Sequence, residues 1–306
     1  MGFPDELKSR LRNIHTYVVT PFRADDLLQI DTDALRSNLE FLVERGVRVV
    51  AMGGGTGEFE ALRPAEQLLI ARTALETVGD RALVVATVPA NLAEAVDLLA
   101  AYEKAGIEVV LAMPPLIRAQ IPDDLGDVVE YYRVLCSHAA LPVMPYNTQR
   151  WPVEIFRRLG EIEGLVAIKD PCISPHNLFR AIREMGDRFV WIGNKRHDPG
   201  VLHLRYQMGI EAFTSGQSNY WPEPELELHE AAQRRDWDRM VELQAVCEPL
   251  EKQRALSDDA AAVKAGVDLV GLYGGPVRPP RRPISGAERE QMAQLFAQMG
   301  VPGAGG

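Results

Sequence analysis

The feature that most constrains the fold is a regular alternation of short apolar runs with longer amphipathic segments. Each run is rich in Val, Ile or Ala and lacks strict polar alternation, as expected of parallel strands covered on both faces. The runs begin about 28 positions apart on average and occupy residues 14–20, 47–53, 82–88, 108–114, 141–147, 165–170, 189–194 and 211–216. This alternation predicts eight βα units.

The segments between the runs have the spacing of helices with one apolar face. Residues 33–46, for example, place Leu35, Leu39, Leu42 and Val43 on one side and end in a glycine, which is favoured just past a helix. Eight βα units favour a closed (β/α)8 barrel, or TIM barrel. An open doubly wound sheet remains the alternative, because periodicity alone does not show closure.

Strand-like runs stop after Trp221, and helical patterns follow near 223–234, 236–253, 256–271 and 286–299. The first of these helices completes the barrel. We therefore predict a barrel over residues 1–234, a C-terminal helical extension over 235–300 and a loose tail over 301–306.

Composition excludes several classes of function. The chain carries 33 basic and 43 acidic residues, a net charge of −10, which argues against nucleic acid or an anionic membrane as partner. No apolar run approaches the roughly 20 residues of a membrane span. The three cysteines form no CxxC pair and the six histidines no HxH or HExxH motif, so we expect no metal and no other cofactor. The first residues do not resemble a secretory signal, and we expect a cytoplasmic protein.

In barrel enzymes the active site lies at the carboxyl ends of the strands. Lys169 ends the sixth run, and strand alternation points it and Ala167 to one face and Ile168 and Asp170 to the other. A lysine amine held in apolar surroundings has a lowered pKa and can act as a nucleophile. The alternative is a lysine that ends the strand and pairs with a carboxylate.

Two further features lie at the same rim. Tyr146 ends the fifth run, where its phenol can transfer protons or simply pack against the top of the barrel. The stretch GGGTGE, residues 53–58, lacks the glycine spacing of a dinucleotide or phosphate loop. Its backbone N–H groups and hydroxyl suit a carboxylate, although a tight turn explains its glycines equally well.

Five motifs, in order and on this rhythm, resemble the dihydrodipicolinate synthase/N-acetylneuraminate lyase family. They are GGGTGEFEALRPAE, MPYNT, LVAIKD, FTSGQSNYWPE and GGPVRPP, and the resemblance spans residues 14–300. It implies a (β/α)8 barrel with a helical extension, a homo-oligomer (tetramer or dimer) and a class I lyase that holds a small 2-oxo acid as a Schiff base.

The resemblance also implies residue roles. Lys169 would form the imine, and Tyr146 would move protons to and from the substrate. Thr56, with the amides of Gly55 and Gly57, would bind the substrate carboxylate. Two further groups would line the pocket or reach the distal part of the substrate: Thr214 and Ser215 at the end of the eighth run, and Arg150 and Lys195 in loops. Lys195 is equally compatible with a solvated loop.

Departures from the family pattern bear on the substrate. Gly55 replaces the usual Thr or Ser, and the fourth loop, Pro114-Pro115-Leu116-Ile117, lacks the usual tyrosine, so the usual proton relay is missing. The GGTGEF and AGVDLVGLYGGPVRPP stretches look closest to 5-dehydro-4-deoxyglucarate and 2-keto-3-deoxy-sugar-acid dehydratases. We therefore favour dehydration or retro-aldol cleavage of such an acid. The alternatives are 4-hydroxy-tetrahydrodipicolinate synthase, acting on pyruvate and aspartate semialdehyde, and a non-catalytic 2-oxo-acid-binding protein.

Overall fold

Eight short strands form the centre of the molecule. The computed structural model describes residues 5–113, 126–138, 140–195 and 200–303. Within these residues the strands are β1 (His15–Tyr17), β2 (Val49–Ala51), β3 (Leu83–Val88), β4 (Val109–Ala112), β5 (Val143–Pro145), β6 (Ala167–Lys169), β7 (Val190–Asn194) and β8 (Ala212–Ser215). Each strand lies within one of the eight apolar runs, so the predicted strands are confirmed.

Helices surround the strands and continue beyond them. Among the described residues these are α1 (Asp5–Leu11), α2 (Thr32–Glu44), α3 (Pro64–Val78), α4 (Leu92–Ala105), α5 (Gly126–Ser137), α6 (Val153–Gly160), α7 (Pro175–Met185), α8 (Leu202–Met208), α9 (Glu223–Gln233), α10 (Trp237–Ala255), α11 (Asp259–Leu269) and α12 (Gly286–Met299). Helices α2 to α9 each follow one strand, and α10 to α12 form the C-terminal extension. Residues 304–306 of the predicted loose tail lie outside the described residues.

The sheet is parallel and closes on itself. Its strand order is β5-β4-β3-β2-β1-β8-β7-β6. The two end strands are joined by backbone hydrogen bonds: the Val143 N–H donates to Gly164 O and the Asn147 N–H to Lys169 O, both at 2.9 Å. The (β/α)8 barrel is therefore confirmed over the open sheet.

Alternation along β6 follows the predicted faces. Ala167 belongs to the apolar cluster inside the barrel, whereas Ile168 packs in the cluster between the strands and the surrounding helices. The next inward position is Lys169. At the carboxyl end of the barrel, the apolar interior thus gives way to a buried amine.

Helix α1 is a structural feature that the periodicity did not indicate. Its Leu7 and Leu11 pack with the residues that begin several strands, including Val49, Leu83 and Val109. Arg10 pairs with Glu108, just before β4, with N–O distances of 2.6 and 3.0 Å. This helix therefore closes the amino end of the barrel, opposite the end where the strands finish.

The extension is held to the barrel by buried ion pairs. Lys264 of α11 lies 2.5 Å from Glu58 of the glycine-rich loop, and the Arg278 backbone N–H donates to the same carboxylate at 2.8 Å. The Arg278 guanidinium binds Glu66 of α3 with both terminal nitrogens. The GGGTGE and GGPVRPP motifs are thus two sides of one contact. No helix in the described ranges is long and apolar enough to cross a membrane.

Candidate active site

A cavity of about 440 Å³ lies at the carboxyl ends of the strands. Its lining combines one buried lysine, two phenols, several hydroxyl groups and an arginine–aspartate pair. The residues that line it are Tyr17, Gly54, Gly55, Thr56, Leu111, Met113, Tyr146, Thr148, Lys169, Pro171, Ile173, Asn194, Thr214, Ser215, Gly216, Arg254 and Asp259. Six of the nine predicted site residues are in this set: Gly55, Thr56, Tyr146, Lys169, Thr214 and Ser215.

Lys169 lies between two aromatic rings. Its Nζ is 3.9 Å from the ring centre of Tyr17 and 4.2 Å from that of Tyr146, and only 6% of the residue is exposed. Burial lowers the pKa of the amine to about 7, although the Asp259 carboxylate partly opposes this shift. Loss of hydration disfavours the ammonium form, so a nucleophilic amine is available near neutral pH.

Backbone pairing between β5 and β6 places Tyr146 beside Lys169. Tyr146 forms a parallel bridge with Lys169, and Asn147 Nδ2 donates to Asp170 Oδ2 at 2.7 Å. The other carboxylate oxygen accepts the Cys172 N–H at 2.6 Å. Burial raises the pKa of Asp170 to about 6, although these hydrogen bonds lower it in part. Asp170 therefore ties the two loops together on the side facing away from the cavity.

Tyr17 is a cavity residue that the sequence reasoning missed. The first run was expected to end at Thr20, but the ladder stops earlier because the Val19 N–H donates to Asn219 Oδ1 at 3.1 Å. The last residue of β1 is consequently Tyr17. Thr20 lies outside the cavity lining, where its hydroxyl donates to Gly57 O at 2.8 Å and holds the glycine-rich loop.

The glycine-rich loop contributes Gly54, Gly55 and Thr56 to the cavity. A Cβ on Gly54 would lie 2.0 Å from the Tyr17 ring, whereas a Cβ on Gly55 would meet no atom within 4 Å. Gly57 packs under the loop, where a Cβ would lie 2.9 Å from Val18 O. Close packing thus requires glycine at positions 54 and 57, but not at Gly55.

The C-terminal extension also reaches the cavity. Arg254, at the end of α10, donates from Nε to Asp259 Oδ1 of α11 at 2.5 Å. Its guanidinium lies against Gly216 after β8, where a Cβ would come within 2.7 Å of it. Arg254 and Lys169 are the two basic side chains among the described residues that line the cavity.

The two loop cations predicted for the distal part of the substrate lie elsewhere. The side chain of Lys195 is buried outside the cavity, where it forms ion pairs with Glu225 and Glu251. Burial alone would lower its pKa, but Cys247 and the two carboxylates raise it above the ordinary value. Arg150 is exposed in the loop after β5, with a left-handed φ of 55°. Neither residue lines the cavity, so the structure does not bring them to the other site residues.

Two further sequence expectations for the cavity concern the fourth loop and a metal site. The loop at Pro114-Pro115-Leu116-Ile117, noted for its missing tyrosine, lies outside the described residues. Within the described ranges, no three His, Cys, Asp or Glu side chains are grouped as metal ligands would be. The chemistry that the observed cavity supports is nucleophilic attack by an amine, with phenols and hydroxyls close by.

Comparison with known proteins extends these observations. The model of the dihydrodipicolinate synthetase family matches residues 10–299. A protein of Methylobacterium radiotolerans named probable 5-dehydro-4-deoxyglucarate dehydratase is 30% identical over 287 residues, covering 92% of this chain and 93% of that protein. One of the same name from Saccharopolyspora erythraea is 28% identical, with 98% of each chain covered.

Solved structures share the fold. Dihydrodipicolinate synthase from Oceanobacillus iheyensis superposes with a TM-score of 0.88 at 24% identity, covering 96% of this chain and 98% of that one. The enzyme from Bacillus clausii gives a TM-score of 0.89 at 23% identity, covering 96% and 100%. At these identities the likeness shows the barrel and its extension.

Proposed function

Because the chain belongs to the dihydrodipicolinate synthetase family and is therefore a lyase of the aldolase and dehydratase type, we propose that it acts on a 2-oxo acid through an imine on Lys169. The observation that carries this proposal is a buried amine with a pKa of about 7 inside the cavity. A surface lysine is almost fully protonated at neutral pH. The Lys169 amine, with its pKa of about 7, is uncharged in about half of the molecules at that pH.

The imine makes the neighbouring carbon acidic. The uncharged amine adds to the ketone, water leaves, and the protonated imine accepts the electron pair released when that carbon loses a proton. Tyr146, whose ring touches Nζ, is the group to which we assign this proton transfer. Thr56 and the amide of Gly55 lie on the cavity wall and are assigned to the substrate carboxylate.

We assign the distal end of the substrate to Arg254 and Asp259. Nε of the guanidinium is occupied by Asp259, but the terminal nitrogens form no hydrogen bond with the described residues, and Glu251 Oε2 lies 3.7 Å from Nη1. A guanidinium whose terminal nitrogens make no hydrogen bond within the described residues can donate to a carboxylate or to hydroxyl groups. This pair takes the role that the sequence assigned to Arg150 and Lys195.

The substrate class follows from the relatives and from Gly55. The curated relatives are named as dehydratases of 5-dehydro-4-deoxyglucarate, which is a 2-keto-3-deoxy sugar acid, and this chain's glycine offers no hydroxyl at position 55. We therefore propose dehydration, or retro-aldol cleavage, of such an acid. The alternative reaction, which the experiment must distinguish from this one, is synthesis from pyruvate and aspartate semialdehyde.

Borohydride trapping tests the proposal. The protein is incubated with pyruvate or with a keto-deoxy sugar acid, reduced, and examined by intact mass and peptide mapping. We expect a stable adduct on Lys169 that is absent from Lys169→Ala, and turnover of the sugar acid without aspartate semialdehyde. Folded protein that forms no adduct with any 2-oxo acid would refute the imine mechanism. Turnover that requires the semialdehyde would refute the dehydratase assignment.

A further inference from the structure

A buried carboxylate, Glu251 of α10, lies beside the arginine that lines the cavity. Glu251 is 2% exposed, and its Oε2 lies 3.7 Å from Nη1 of Arg254, one turn further along the helix. Its Oε1 lies 3.4 Å from Nζ of Lys195. Burial alone would raise the pKa of Glu251, but Lys195 and Arg254 lower it below its ordinary value. The carboxylate is therefore negatively charged and lies between two cations.

Glu251 has ion pairs but no hydrogen bonds. Neither of its carboxylate oxygens is hydrogen-bonded to any residue that the structure describes, although a buried charge is costly unless it is both paired and hydrogen-bonded. Replacing such a buried ionic group by apolar residues of similar volume is often neutral or stabilising. The stability of the fold therefore does not account for a carboxylate at this position.

The terminal nitrogens of Arg254 are accessible to a ligand. Arg254 lines the cavity, and its Nε donates to Asp259. Nη1 and Nη2 form no hydrogen bond within the described ranges, yet they are not among the fully buried polar atoms that lack a partner. Both nitrogens therefore have accessible surface and can donate to a substrate in the cavity.

The loop after β8 leaves space for the guanidinium at Gly216. This glycine has a φ of −98°, which any residue adopts, so its backbone conformation does not require glycine. A Cβ at this position would lie 2.7 Å from Cζ, Nη1 and Nη2 of Arg254. The glycine thus allows the guanidinium to lie directly against the cavity wall.

We propose that Glu251 is a positioning residue for substrate binding: held by Lys195, it orients Arg254 so that both terminal nitrogens face the distal part of the substrate. This inference rests on the proposed function, in which Arg254 binds that part. The hydrogen bond from Nε to Asp259 alone leaves the guanidinium able to rotate about that bond, and the charge of Glu251 beside Nη1 opposes the rotation. Lys195 is itself fixed by a second ion pair, with Glu225 of α9. Lys195 therefore acts on the substrate indirectly, through Glu251 and Arg254.

Glu251→Gln tests the proposal, because it removes the charge and keeps the shape of the side chain. The quantities measured are KM and kcat for a keto-deoxy sugar acid and the rate of borohydride-trapped pyruvate adduct formation. We expect KM to rise about tenfold, because the hydrogen bonds from Arg254 to the distal part of the substrate are weakened. Because pyruvate has no distal part, we expect its rate to be unchanged, and kcat as well.

A double-mutant cycle with Arg254→Met shows whether Glu251 acts through the arginine. If it does, adding Glu251→Gln to Arg254→Met leaves KM at the value of Arg254→Met alone. Glu251→Asp retracts the charge by one methylene group and should raise KM less than Glu251→Gln. It replaces Glu251→Gln in the same cycle if that variant does not fold. Gly216→Ala displaces the guanidinium without removing a charge, and we expect it to raise KM in the same way.

Glu211→Gln is the matched control. Glu211 pairs with Arg12 at 2.6 Å and directly precedes β8, at the amino end of the barrel. The same chemical change there should leave KM, kcat and the pyruvate rate at their wild-type values. A control that raises KM as much as Glu251→Gln would show a general effect of lost ion pairs and would refute the positioning role.

The remaining outcomes separate this inference from the proposed function. If folded Glu251→Gln keeps the wild-type KM, or if its effect on KM multiplies with that of Arg254→Met, Glu251 does not position the arginine, and the proposed function stands. A pyruvate rate that falls as much as the turnover of the sugar acid would assign Glu251 a structural role instead. Wild-type protein that forms the pyruvate adduct but converts no keto-deoxy sugar acid would refute the proposed function, and this inference with it.

Discussion

A lysine amine enclosed by two phenol rings responds to pH differently from a lysine in water. Burial lowers the pKa of Lys169 from the ordinary 10.5 to about 7. Below that value the ammonium form dominates and cannot attack a ketone. We therefore expect the rate of pyruvate imine formation to rise about tenfold per pH unit below 7 and to level off above it. Borohydride trapping at a series of pH values measures this rate, with Lys169→Arg as the control. A rate still rising tenfold per unit at pH 9 would show an unperturbed lysine.

The two neighbouring glycines of the loop offer a matched pair of substitutions. Gly54→Ala places a carbon 2.0 Å from Tyr17, whereas Gly55→Ala places one in open space. We expect Gly54→Ala to lower the free energy of unfolding by about 1–3 kcal/mol and to slow pyruvate imine formation, because the displaced ring touches Lys169. Gly55→Ala should stay within about 0.5 kcal/mol. Denaturant unfolding and borohydride trapping measure both effects. Equal effects of the two substitutions would contradict the proposed packing.

At the scale of elements, the C-terminal extension helps to line the candidate active-site cavity. The end of α10 and the start of α11 supply Arg254 and Asp259, and α11 is fixed by the buried pair Lys264–Glu58. Glu58→Gln would leave the Lys264 ammonium buried without its carboxylate. We expect a loss of about 3–5 kcal/mol in the free energy of unfolding, measured by denaturant titration.

Two comparisons separate this buried pair from ordinary surface charge. Glu40→Gln removes the partner of Arg81 at an exposed position and should cost at most about 1 kcal/mol. The double variant Glu58→Gln/Lys264→Met removes both buried charges and should cost less than Glu58→Gln alone. A double variant that is less stable than the single one would show that the two residues do not act as a pair.

The sequence predicts elements better than the contacts between them. Strand periodicity identified all eight strands, and strand alternation placed Lys169 on the inner face. These patterns did not identify Tyr17 as a cavity residue, because the point where β1 leaves the ladder depends on Asn219, some 200 positions along the chain. Nor did they identify Arg254 and Asp259, since helical periodicity does not say which end of a helix meets the barrel mouth. For a related reason, the sequence did not show that Lys195 is buried away from the cavity, because its partners Glu225 and Glu251 lie on later helices.

At the scale of the whole molecule, the two ends of the barrel differ in structure and in the role we expect of them. The carboxyl end holds the cavity with its amine, hydroxyls and ion pair. The amino end is closed by α1, whose Leu11 is fully buried and whose Leu11 O accepts a hydrogen bond from His15 Nε2 at 2.9 Å. In (β/α)8 enzymes the amino face serves stability and the carboxyl face serves chemistry. Stability and activity should therefore respond separately to changes at the two ends.

Leu11→Ala tests this separation at the amino end. The substitution leaves a cavity beneath the barrel and should lower the free energy of unfolding by about 2–5 kcal/mol. Leu28→Ala makes the same chemical change at a position that is 65% exposed, and should cost no more than about 0.5 kcal/mol. Because Lys169 lies at the opposite end of its strand, both variants should keep the wild-type rate of pyruvate imine formation at temperatures where they are folded. A folded Leu11→Ala protein with a markedly slower rate would show instead that packing at the amino end controls the position of the amine.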